Sequence, residues 1–320
     1  MSIRPTGRAV TSTDCDLGFG VHDEMNKPVQ FKTAAILGVR SMLGSAIAAE
    51  LERKAVSTIA VGRSQKDDIF VDLSLASQEI PPFKYRADVL FHCASSFYGD
   101  DDEGERLNIR INAESAEFVC EIASRLGVKT IIYAGSAFSD KESQEKYGSY
   151  GFSKYLAEER FSKFSKLHNF SFGSFRFPQI YDTFGKCCVH QPWFGRIIAY
   201  ASRGLELRLP NSMSPRNYIH VEDAAAVMVA GALRAEAGVL PISHPESFTA
   251  DRLADLAYEV FGAGGRAVIA EEKPPFRAIR FMDGVSNMER LGVYPRSMRA
   301  GLEGILSAGT SGAFGPLDVK

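Results

Sequence analysis

The sequence predicts an α/β protein built on a doubly wound parallel sheet, with a smaller α/β lobe towards the C-terminus. From about residue 33 onward, short apolar runs alternate with amphipathic helical stretches. Repeated strand–helix units of this kind form parallel sheets that helices cover on both faces. The first apolar run leads through a loop with two glycines straight into a helix. At 320 residues the chain also exceeds one average domain, which leaves room for a second lobe.

The elements of the sheet follow one another in a regular order. Apolar runs predict strands, whereas helical spacing and terminal glycines predict helices. The expected strands are 33–37, 57–61, 87–93, 130–133 and 170–177, and the expected helices are 44–54, 112–126 and 150–167.

The regular alternation of strands and helices ends after Pro178. Residues 183–216 are rich in Arg, Pro, Gly and aromatic residues, which suggests a segment that faces a substrate. Residues 217–234 return to strand and helix, and residues 243–320 form the predicted small lobe. Parallel sheets bind ligands beyond the carboxyl ends of their strands, so functional residues are expected there.

Composition excludes several classes of protein. A net charge of -2 and a pI near 6.3 argue against a nucleic-acid partner. No apolar run reaches the roughly 18 residues of a membrane span, and the acidic residues before position 33 argue against a secretory signal. Five cysteines without metal-ligand spacing indicate reduced thiols and no metal site. We therefore expect a cytoplasmic protein in which residues 1–32 form a loosely ordered leader.

The loop after the first strand predicts a dinucleotide site. Glycines at this point permit a tight turn and a close approach of the backbone to a pyrophosphate, which then rests on the helix N-terminus. The second strand ends at Arg63 without the carboxylate that usually holds an unphosphorylated ribose, and Arg40 and Arg63 suit a 2′-phosphate. The pattern therefore favours NADP(H) over NAD(H), although both arginines could simply be solvated. The expected contacts in this loop are Gly38, Arg40, Ser41, Met42, Leu43 and Gly44.

A phenol and an ammonium follow at helical spacing. Tyr150 and Lys154 are four residues apart on the predicted helix, and a nearby ammonium is expected to lower the pKa of the phenol. Ser136 lies just past a strand, where its hydroxyl could bind the same carbonyl oxygen. Asn112 precedes them on a helix. The order of these four residues behind a glycine loop, more than any single spacing, predicts the catalytic set.

Together these motifs identify the chain as similar to the extended short-chain dehydrogenase/reductases. This family comprises nucleotide-sugar epimerases, dehydratases and reductases, and its fold is of the Rossmann type. The resemblance covers about residues 33–305. Besides the glycine loop and the catalytic set, it rests on Asp72-Leu73, on His92-Cys93-Ala94, on Arg176-Phe177-Pro178 and on the segment from Arg216 to Asp223.

The resemblance implies further site residues. Ser136 and Tyr150 would act on the substrate oxygen, and Lys154 would also hold the nicotinamide ribose. Asp72 would lie by the adenine, or else be a helix N-cap, and Arg216 would bind the diphosphate, or else form a surface ion pair. The remaining implied contacts are Leu73, Cys93, Ala94, Phe177 and Pro178 with the cofactor, and Ser95, Phe138, Gln179, His190 and Trp193 with the nucleotide-sugar substrate. His92 is expected to be a packed histidine and not a general base.

Departures from the family pattern narrow the reaction. Ala137 and Phe138 cannot supply the Asp-Glu pair of the 4,6-dehydratases. The glycine loop is similar to that of the GDP-fucose synthases, but Phe138 replaces their epimerising cysteine and Phe184 stands near the place of their histidine. The expected reaction is therefore the NADPH-dependent reduction of a nucleotide-linked 4-keto-6-deoxy sugar. An NAD(P)-dependent 4-epimerase, a reductase of non-sugar carbonyls and a silent NADP-sensing protein remain alternatives.

The same resemblance sets the expected organisation. Residues 33–178 and 212–242 would form the NADP-binding Rossmann domain, and 179–211 and 243–320 the substrate-binding lobe. A homodimer is expected through the helices at 112–126 and 150–167.

Overall fold

The computed structural model describes residues 30–75, 79–80, 82–140 and 148–317. The strands are β1 (Thr33–Leu37), β2 (Ser57–Gly62), β3 (Ile69–Phe70), β4 (Val89–His92), β5 (Thr130–Ser136), β6 (Ser171–Phe177), β7 (Gln179–Tyr181), β8 (Glu206–Pro210), β9 (Arg216–His220), β10 (Gly238–Pro241), β11 (Ser247–Phe248) and β12 (Arg266–Ala270). The α-helices are α1 (Met42–Arg53), α2 (Asp102–Asn108), α3 (Ala116–Leu126), α4 (Gly148–His168), α5 (Pro192–Ala201), α6 (Val221–Leu233), α7 (Ala250–Phe261), α8 (Val285–Leu291) and α9 (Met298–Ser307).

Seven strands form the main sheet in the order β10-β6-β5-β4-β1-β2-β3. Every neighbouring pair is parallel. The chain order reverses between β1 and β4, so the crevice beyond the carboxyl ends of these two strands is the expected ligand site. The predicted parallel α/β fold is confirmed.

The sheet is covered on both faces because its strands are apolar on both faces. Along β1, Ala34 and Ile36 belong to one core, and Ala35 and Leu37 to the other. Helices α1 and α6 contribute to the first core, whereas α3 and α4 contribute to the second. Because helices cover both faces, a ligand can reach the sheet only at the ends of its strands.

Most predicted elements occur within a few residues of their expected bounds. Helix α1 begins two residues earlier than predicted, at Met42, because the side chain of Ser41 caps it. Ser136 is the last residue of β5 and not a residue beyond it. The two-residue strand β3 was not predicted, since so short a segment has no measurable periodicity.

The helix predicted at 112–126 is confirmed from Ala116 to Leu126, but its first turn differs. Helix α2 ends at Asn108, a π-helical turn spans Ile109–Glu114, and α3 starts only at Ala116. The wider π turn, which often occurs at functional sites, carries Asn112. It buries this side chain against the loop after β4.

A third core fills the lobe that follows β6. Strands β8 and β12 form a parallel pair, and β7, β9 and β11 a three-stranded sheet. Tyr181, Phe194, Leu253 and Leu302 are among its buried residues. The segment 183–216, for which no strand or helix was predicted, contains α5 and β8.

The predicted leader falls mainly on residues 1–29, which lie outside the described residues. Next to them, Phe31 is buried and its ring packs against Phe91, with 6.4 Å between the ring centroids. The boundaries expected for the two domains stay a prediction.

Candidate active site

The loop between β1 and α1 is held in a tight turn by its glycines. Gly38 adopts a φ of +85°, and a Cβ on it would lie 2.7 Å from the backbone nitrogen of Ala94. A Cβ on Gly44 would lie 2.2 Å from the carbonyl oxygen of Gly38. Ser41, which stands where a third glycine is common, accepts a hydrogen bond from the Gly44 amide at 3.0 Å. The loop therefore brings the N-terminus of α1 to the crevice between β1 and β4.

The end of β2 differs from the sequence-based expectation. No carboxylate was expected here, yet the chain after β2 folds back and places Asp67 against Gly62, with a carboxylate oxygen 2.7 Å from the position of a Cβ there. Asp67 binds the Arg40 Nε at 2.8 Å and the Ser64 amide at 3.1 Å. Its side chain is 2% exposed, against 56% for Arg40. The arginine thus covers the carboxylate.

The other residues expected to contact the adenosine half of the cofactor, Arg63, Asp72 and Leu73, follow strands β2 and β3. Arg63 is exposed, and Leu73 is buried. Asp72 accepts hydrogen bonds from the Ser74 hydroxyl at 2.7 Å and the Ser74 amide at 2.9 Å, which hold the pKa of its carboxyl below the usual value. Among residues 72–75 no helix begins, so Asp72 closes a turn and is not a helix cap.

A cavity of about 450 Å³ lies beyond the strand ends, between the sheet and the smaller lobe. It brings together most of the site residues predicted from the sequence: Ser41, Met42, Leu43, Cys93, Ser95, Ser136, Phe138, Tyr150, Lys154, Phe177, Pro178, Gln179, His190, Trp193 and Arg216. The predicted residues that do not line it are Gly38, Arg40, Gly44, Arg63, Asp72, Leu73, Ala94 and Asn112.

Nearly half of the cavity wall was not predicted. These residues are Ser96, Phe97, Ala134, Gly135, Ile180, Pro192, Phe194, Ile197, Tyr218, Phe248, Ala250, Leu253, Phe276 and Ile279, whereas Gln191 lies in the sequence between two predicted substrate contacts, His190 and Trp193. The described lining contains no aspartate or glutamate. Its titratable side chains are therefore thiol, phenol, ammonium, imidazole and guanidinium groups.

Two hydroxyl groups lie beside the phenol of Tyr150. They belong to Ser136 and Ser95, which line the same cavity. Burial raises the pKa of Tyr150, while the two neighbouring hydroxyls lower it. The lowered pKa expected from Lys154 is therefore wrong for this state of the protein, because burial dominates and the ammonium is directed elsewhere. A protonated Tyr150 is suited to donate a proton at neutral pH.

Lys154 points to the strand behind it. Its Nζ donates to the carbonyl oxygen of Ala134 at 2.7 Å and lies 4.1 Å from the centre of the Tyr133 ring. The side chain is 2% exposed, and burial lowers its pKa to about 7, against the opposing effects of Glu158 and Cys93. An ammonium held in this way contributes positive charge at the wall of the cavity.

Glu158 is a part of the site that sequence analysis missed. It lies one turn after Lys154 in α4 and forms an ion pair with Arg176 at 2.6 Å. Its carboxylate also accepts hydrogen bonds from Ser174 at 2.7 Å and Ser139 at 3.3 Å. The spacing of four residues from Lys154 was the only signal in the sequence. The buried carboxylate ties α4 to β6 directly beneath the lysine.

Asn112 supports the loop after β4. Its amide oxygen accepts from the Ser96 amide at 2.8 Å and from the Ser95 hydroxyl at 3.1 Å. Its amide nitrogen donates to the Ser153 hydroxyl at 3.0 Å. Asn112 thus reaches Tyr150 through Ser95, which it orients.

Aromatic rings surround the phenol. Phe97 packs edge to face on Tyr150 at 4.7 Å and on His190 at 5.2 Å, while Phe138 lies 6.5 Å from Tyr150. Burial lowers the pKa of His190. Phe97, which sequence analysis also missed, is 50% exposed. The wall next to the phenol is therefore apolar.

The far wall carries polar groups for a larger ligand. Gln179 donates to the side chain of Gln191 at 2.5 Å. Trp193 packs edge to face on Phe276 at 4.7 Å. Arg216 donates to the carbonyl oxygen of Arg277 at 2.6 Å and to Ser214 at 2.9 Å. Amide, aromatic and guanidinium groups thus lie around one end of the cavity.

His92 lies behind the cavity, and its neighbour Cys93 lines it. His92 is buried against Tyr133 and Phe161, and burial lowers its pKa to about 3. Burial raises the pKa of Cys93 to about 12. Both groups are therefore neutral at physiological pH and pack as apolar side chains, as expected for His92.

The chain resembles a known protein family in sequence. The sequence profile of the NAD dependent epimerase/dehydratase family matches residues 34–242. The chain belongs to this family. Curated protein sequences give no significant match.

Solved structures share the family fold. UDP-N-acetylglucosamine 4-epimerase from Bacillus cereus is 17% identical, with a TM-score of 0.68 over 86% of this chain and 98% of that one. UDP-glucose 4-epimerase from Thermus thermophilus, in complex with NAD, is 17% identical, with a TM-score of 0.64 over 86% and 98%. WbmF from Bordetella bronchiseptica, in complex with NAD+ and UDP, is 16% identical, with a TM-score of 0.66 over 91% and 95%. At such identities the likeness shows the fold alone.

The site fits the nicotinamide dinucleotide of the family. Close backbone contacts at Gly38 and Gly44 admit no side chain at either position, and Ser41, Met42 and Leu43 join this tight glycine loop to the cavity that holds Tyr150. Across the described part of the chain, no helix is both long and apolar enough to cross a membrane. Nor do three potential metal ligands cluster anywhere in that part.

Proposed function

We propose that the protein reduces the keto group of a nucleotide-linked 4-keto-6-deoxy sugar with NADPH. One observation carries this proposal. The phenol of Tyr150 lies beside the Ser136 and Ser95 hydroxyls in a cavity whose described lining has no carboxylate. Such a cavity offers one positioned proton donor for an oxygen, and no acid–base pair for removing water from a sugar.

The residues of the site act on the carbonyl oxygen of the substrate. Tyr150 donates its proton to that oxygen, and Ser136 donates a hydrogen bond that fixes its orientation. Ser95, whose hydroxyl donates to the amide oxygen of Asn112, lies beside the phenol and positions it. Lys154 and Tyr150 would hold the ribose beside the nicotinamide, and Cys93, Ala94, Phe177 and Pro178 would pack against it. When bound, the reduced nicotinamide supplies the hydride.

The wall beside Tyr150 favours a deoxygenated sugar. Phe97 and Phe138 pack beside the phenol, and phenyl rings leave a buried sugar hydroxyl without a hydrogen-bond partner. A methyl group in place of a hydroxymethyl group avoids that cost. Gln179 would contact the sugar, Trp193 the base and Arg216 the diphosphate.

A 4-epimerase is the second candidate. It needs the same serine, tyrosine and lysine, and two of the solved structures with this fold are 4-epimerases of UDP-sugars. An epimerase takes the hydride back and therefore consumes no net cofactor. This difference separates the two candidates in an experiment.

The test is NADPH consumption with a panel of nucleotide-linked 4-keto-6-deoxyhexoses, with NADH and the Tyr150→Phe variant run in parallel. Oxidation of NADPH that depends on Tyr150 supports the proposal. Interconversion of nucleotide hexoses without net loss of NADPH would establish the epimerase instead. Bound cofactor without either activity would show a cofactor-binding protein without turnover.

The preference for NADPH rests on Arg40 and Arg63. Arg40 covers the carboxylate of Asp67 and so removes the acidic surface that a 2′-hydroxyl prefers. Its guanidinium, half exposed at the end of β2, offers charge to a 2′-phosphate, and the exposed Arg63 follows the same strand.

Replacing Arg40 with alanine is expected to invert the cofactor preference. The change removes a charged hydrogen-bond donor and uncovers Asp67, so NADPH should bind about 10- to 100-fold more weakly while NADH binds as well or better. Dissociation constants for both cofactors, measured by fluorescence titration, check this. Arg299→Ala, which removes an exposed arginine paired with Glu259, is the matched control. An equal loss of both cofactors would contradict the assignment.

A further inference from the structure

Two buried asparagine side chains lie one helical turn apart beside the site. Asn108 is the last residue of α2, and Asn112 lies in the π-helical turn that follows it. Their exposures are 0% and 2%. Residues four apart lie on one face of a helix, and here both amides reach the loop that follows β4. Asn112 was expected in the site from the sequence, whereas Asn108 was not.

The two amides pair with the backbone of this loop in the same way. Asn112 accepts from the Ser96 amide at 2.8 Å and donates to the Ser96 carbonyl oxygen at 3.1 Å. Asn108 accepts from the Tyr98 amide at 3.0 Å and donates to the Tyr98 carbonyl oxygen at 3.3 Å. The two loop residues are two apart, which is the spacing of hydrogen-bonded residues along an antiparallel ladder. Asn112 with Ser96 and Asn108 with Tyr98 form the two rungs of an amide ladder.

The other hydrogen of each amide reaches helix α4. Asn108 donates to the Ser149 hydroxyl at 2.8 Å, and Asn112 donates to the Ser153 hydroxyl at 3.0 Å. These two serines directly precede the tyrosine and the lysine of the catalytic set. Asn108 also accepts from the Ser96 hydroxyl at 3.0 Å, so its amide uses all four of its hydrogen-bonding positions. The amide ladder therefore joins the loop after β4 to the helix that carries the proposed proton donor.

The residue between the two rungs is Phe97. Its ring packs on the Tyr150 ring at 4.7 Å and on the His190 ring at 5.2 Å, measured between centroids. The ladder thus holds the loop on both sides of the residue that touches the phenol, and it holds α4 at the residue before the phenol. We propose that Asn108 is a positioning residue, whose amide keeps the Tyr150 phenol in place against the loop that carries Phe97.

Two rungs are needed to fix the angle between the loop and the helix. With one rung left, the loop is free to turn about it, because the Tyr98 peptide loses both of its bonds to Asn108. The freed peptide groups then turn to new partners and take Phe97 with them. The first turn of α4 keeps another bond to the loop, from the Ser149 amide to Asp100 at 2.8 Å. Loss of the Asn108 amide should therefore displace the phenol within a folded protein.

The test replaces Asn108 with leucine, which has a similar size and no hydrogen-bonding side chain. This variant should lower kcat about 10- to 100-fold, since displacing a reacting group by about 1 Å costs on the order of 100-fold. The dissociation constant of NADPH should change far less than kcat, because the glycine loop is left intact. The kinetic part of the test rests on the proposed function.

Two further readouts require no substrate. In protein labelled with ¹³C at the tyrosine Cζ, the Tyr150 resonance is assigned by its loss in Tyr150→Phe, and it should shift in Asn108→Leu. Amide hydrogen exchange within residues 96–99 and 148–151 should become about tenfold faster or more, because the bonds that close these segments are lost.

Two other variants make the result decisive. Ser149→Ala removes only the α4 end of the Asn108 rung and should cause the same changes to a smaller extent, which provides the test if Asn108→Leu does not fold. Leu51→Ala, at a buried leucine of α1 outside the cavity lining, should lower Tm without shifting the Tyr150 resonance or changing kcat.

Faster exchange with an unmoved Tyr150 resonance would show that Asn108 only supports the loop, and it would overturn the proposal. An equal shift of that resonance in Leu51→Ala would overturn it as well. A resonance that shifts only in the ladder variants, in a protein that reduces no keto-sugar, would uphold the positioning role and contradict the proposed function alone.

Discussion

Replacing Tyr150 with phenylalanine is expected to lower kcat about a thousandfold while weakening the binding of cofactor by no more than about tenfold, the effect of one lost hydrogen bond to the ribose. The phenol is the positioned proton donor of the cavity, and general acid catalysis by such a group contributes about 10²- to 10⁴-fold. The ring itself packs against Phe97 and Phe138, and phenylalanine keeps those contacts. Steady-state kinetics with the keto-sugar identified in the panel, together with cofactor titration, give the two quantities.

Two control variants sharpen this result. Tyr294→Phe removes a phenol that is 79% exposed and should leave kcat unchanged. Ser95→Ala removes one of the two hydroxyls beside the Tyr150 phenol and should cost about tenfold, since a single neutral hydrogen bond contributes about 1 kcal/mol. A Tyr150→Phe variant that keeps more than a tenth of the original kcat would show that the proton comes from elsewhere.

The parts of the site that could be predicted from the sequence are those fixed by local geometry. Tyr150 and Lys154 share a helix face at a spacing of four residues, and Gly38 and Gly44 frame one turn. In a parallel sheet the carboxyl ends of all strands share one edge, so Ser136 at the end of β5 reaches the same edge as Gly38 after β1. Helical periodicity and the common direction of parallel strands are sufficient to predict these positions.

The parts that could not be predicted depend on how loops fold. Asp67 reaches the end of β2 only because the segment after Gly62 turns back, and the sequence carries no signal for that turn. Phe97 lies on the loop after β4, whose course is set by Asn112 in a π-helical turn that hydrophobic spacing describes as an ordinary helix. These contacts link segments far apart in the chain.

The pKa shift predicted for Tyr150 was also wrong, because it depends on contacts between distant segments of the chain. Proximity in sequence suggested that Lys154 would lower the pKa of Tyr150. In the structure the ammonium is instead bound to the Ala134 carbonyl and the Tyr133 ring, and burial governs both groups. A spacing of four residues on a helix makes Tyr150 and Lys154 neighbours. The direction of the Lys154 ammonium, however, is set by its contacts with Ala134 and Tyr133 of β5.

Replacing Lys154 with methionine is expected to lower kcat about a hundredfold or more and, at the same time, to make the thermal stability less dependent on pH. The loss of activity follows from removing a preorganised charge at the reacting centre. The stability effect follows from the buried ammonium. Burial lowers the pKa of Lys154 to about 7 in the folded protein, well below the value of 10.5 for an unperturbed lysine. The unfolded chain therefore binds more protons than the folded protein between these two values.

The sign of the stability effect is then fixed. Because the unfolded state binds the extra proton between about pH 7 and pH 10.5, the stability of the unmodified protein rises with pH across that window, and the cost of the buried charge is complete below pH 7. Methionine removes this cost but also a hydrogen bond to Ala134, whose loss is the same at every pH. The difference in Tm between Lys154→Met and the unmodified protein should thus be about 2–8 °C more favourable at pH 6 than at pH 9. Lys163→Met, at an exposed lysine of the same helix, should show no such dependence. A difference in Tm that is equal at both pH values would mean that Lys154 does not titrate in this range, and that its charge is held at the site by stronger partners than Glu158 and the Tyr133 ring.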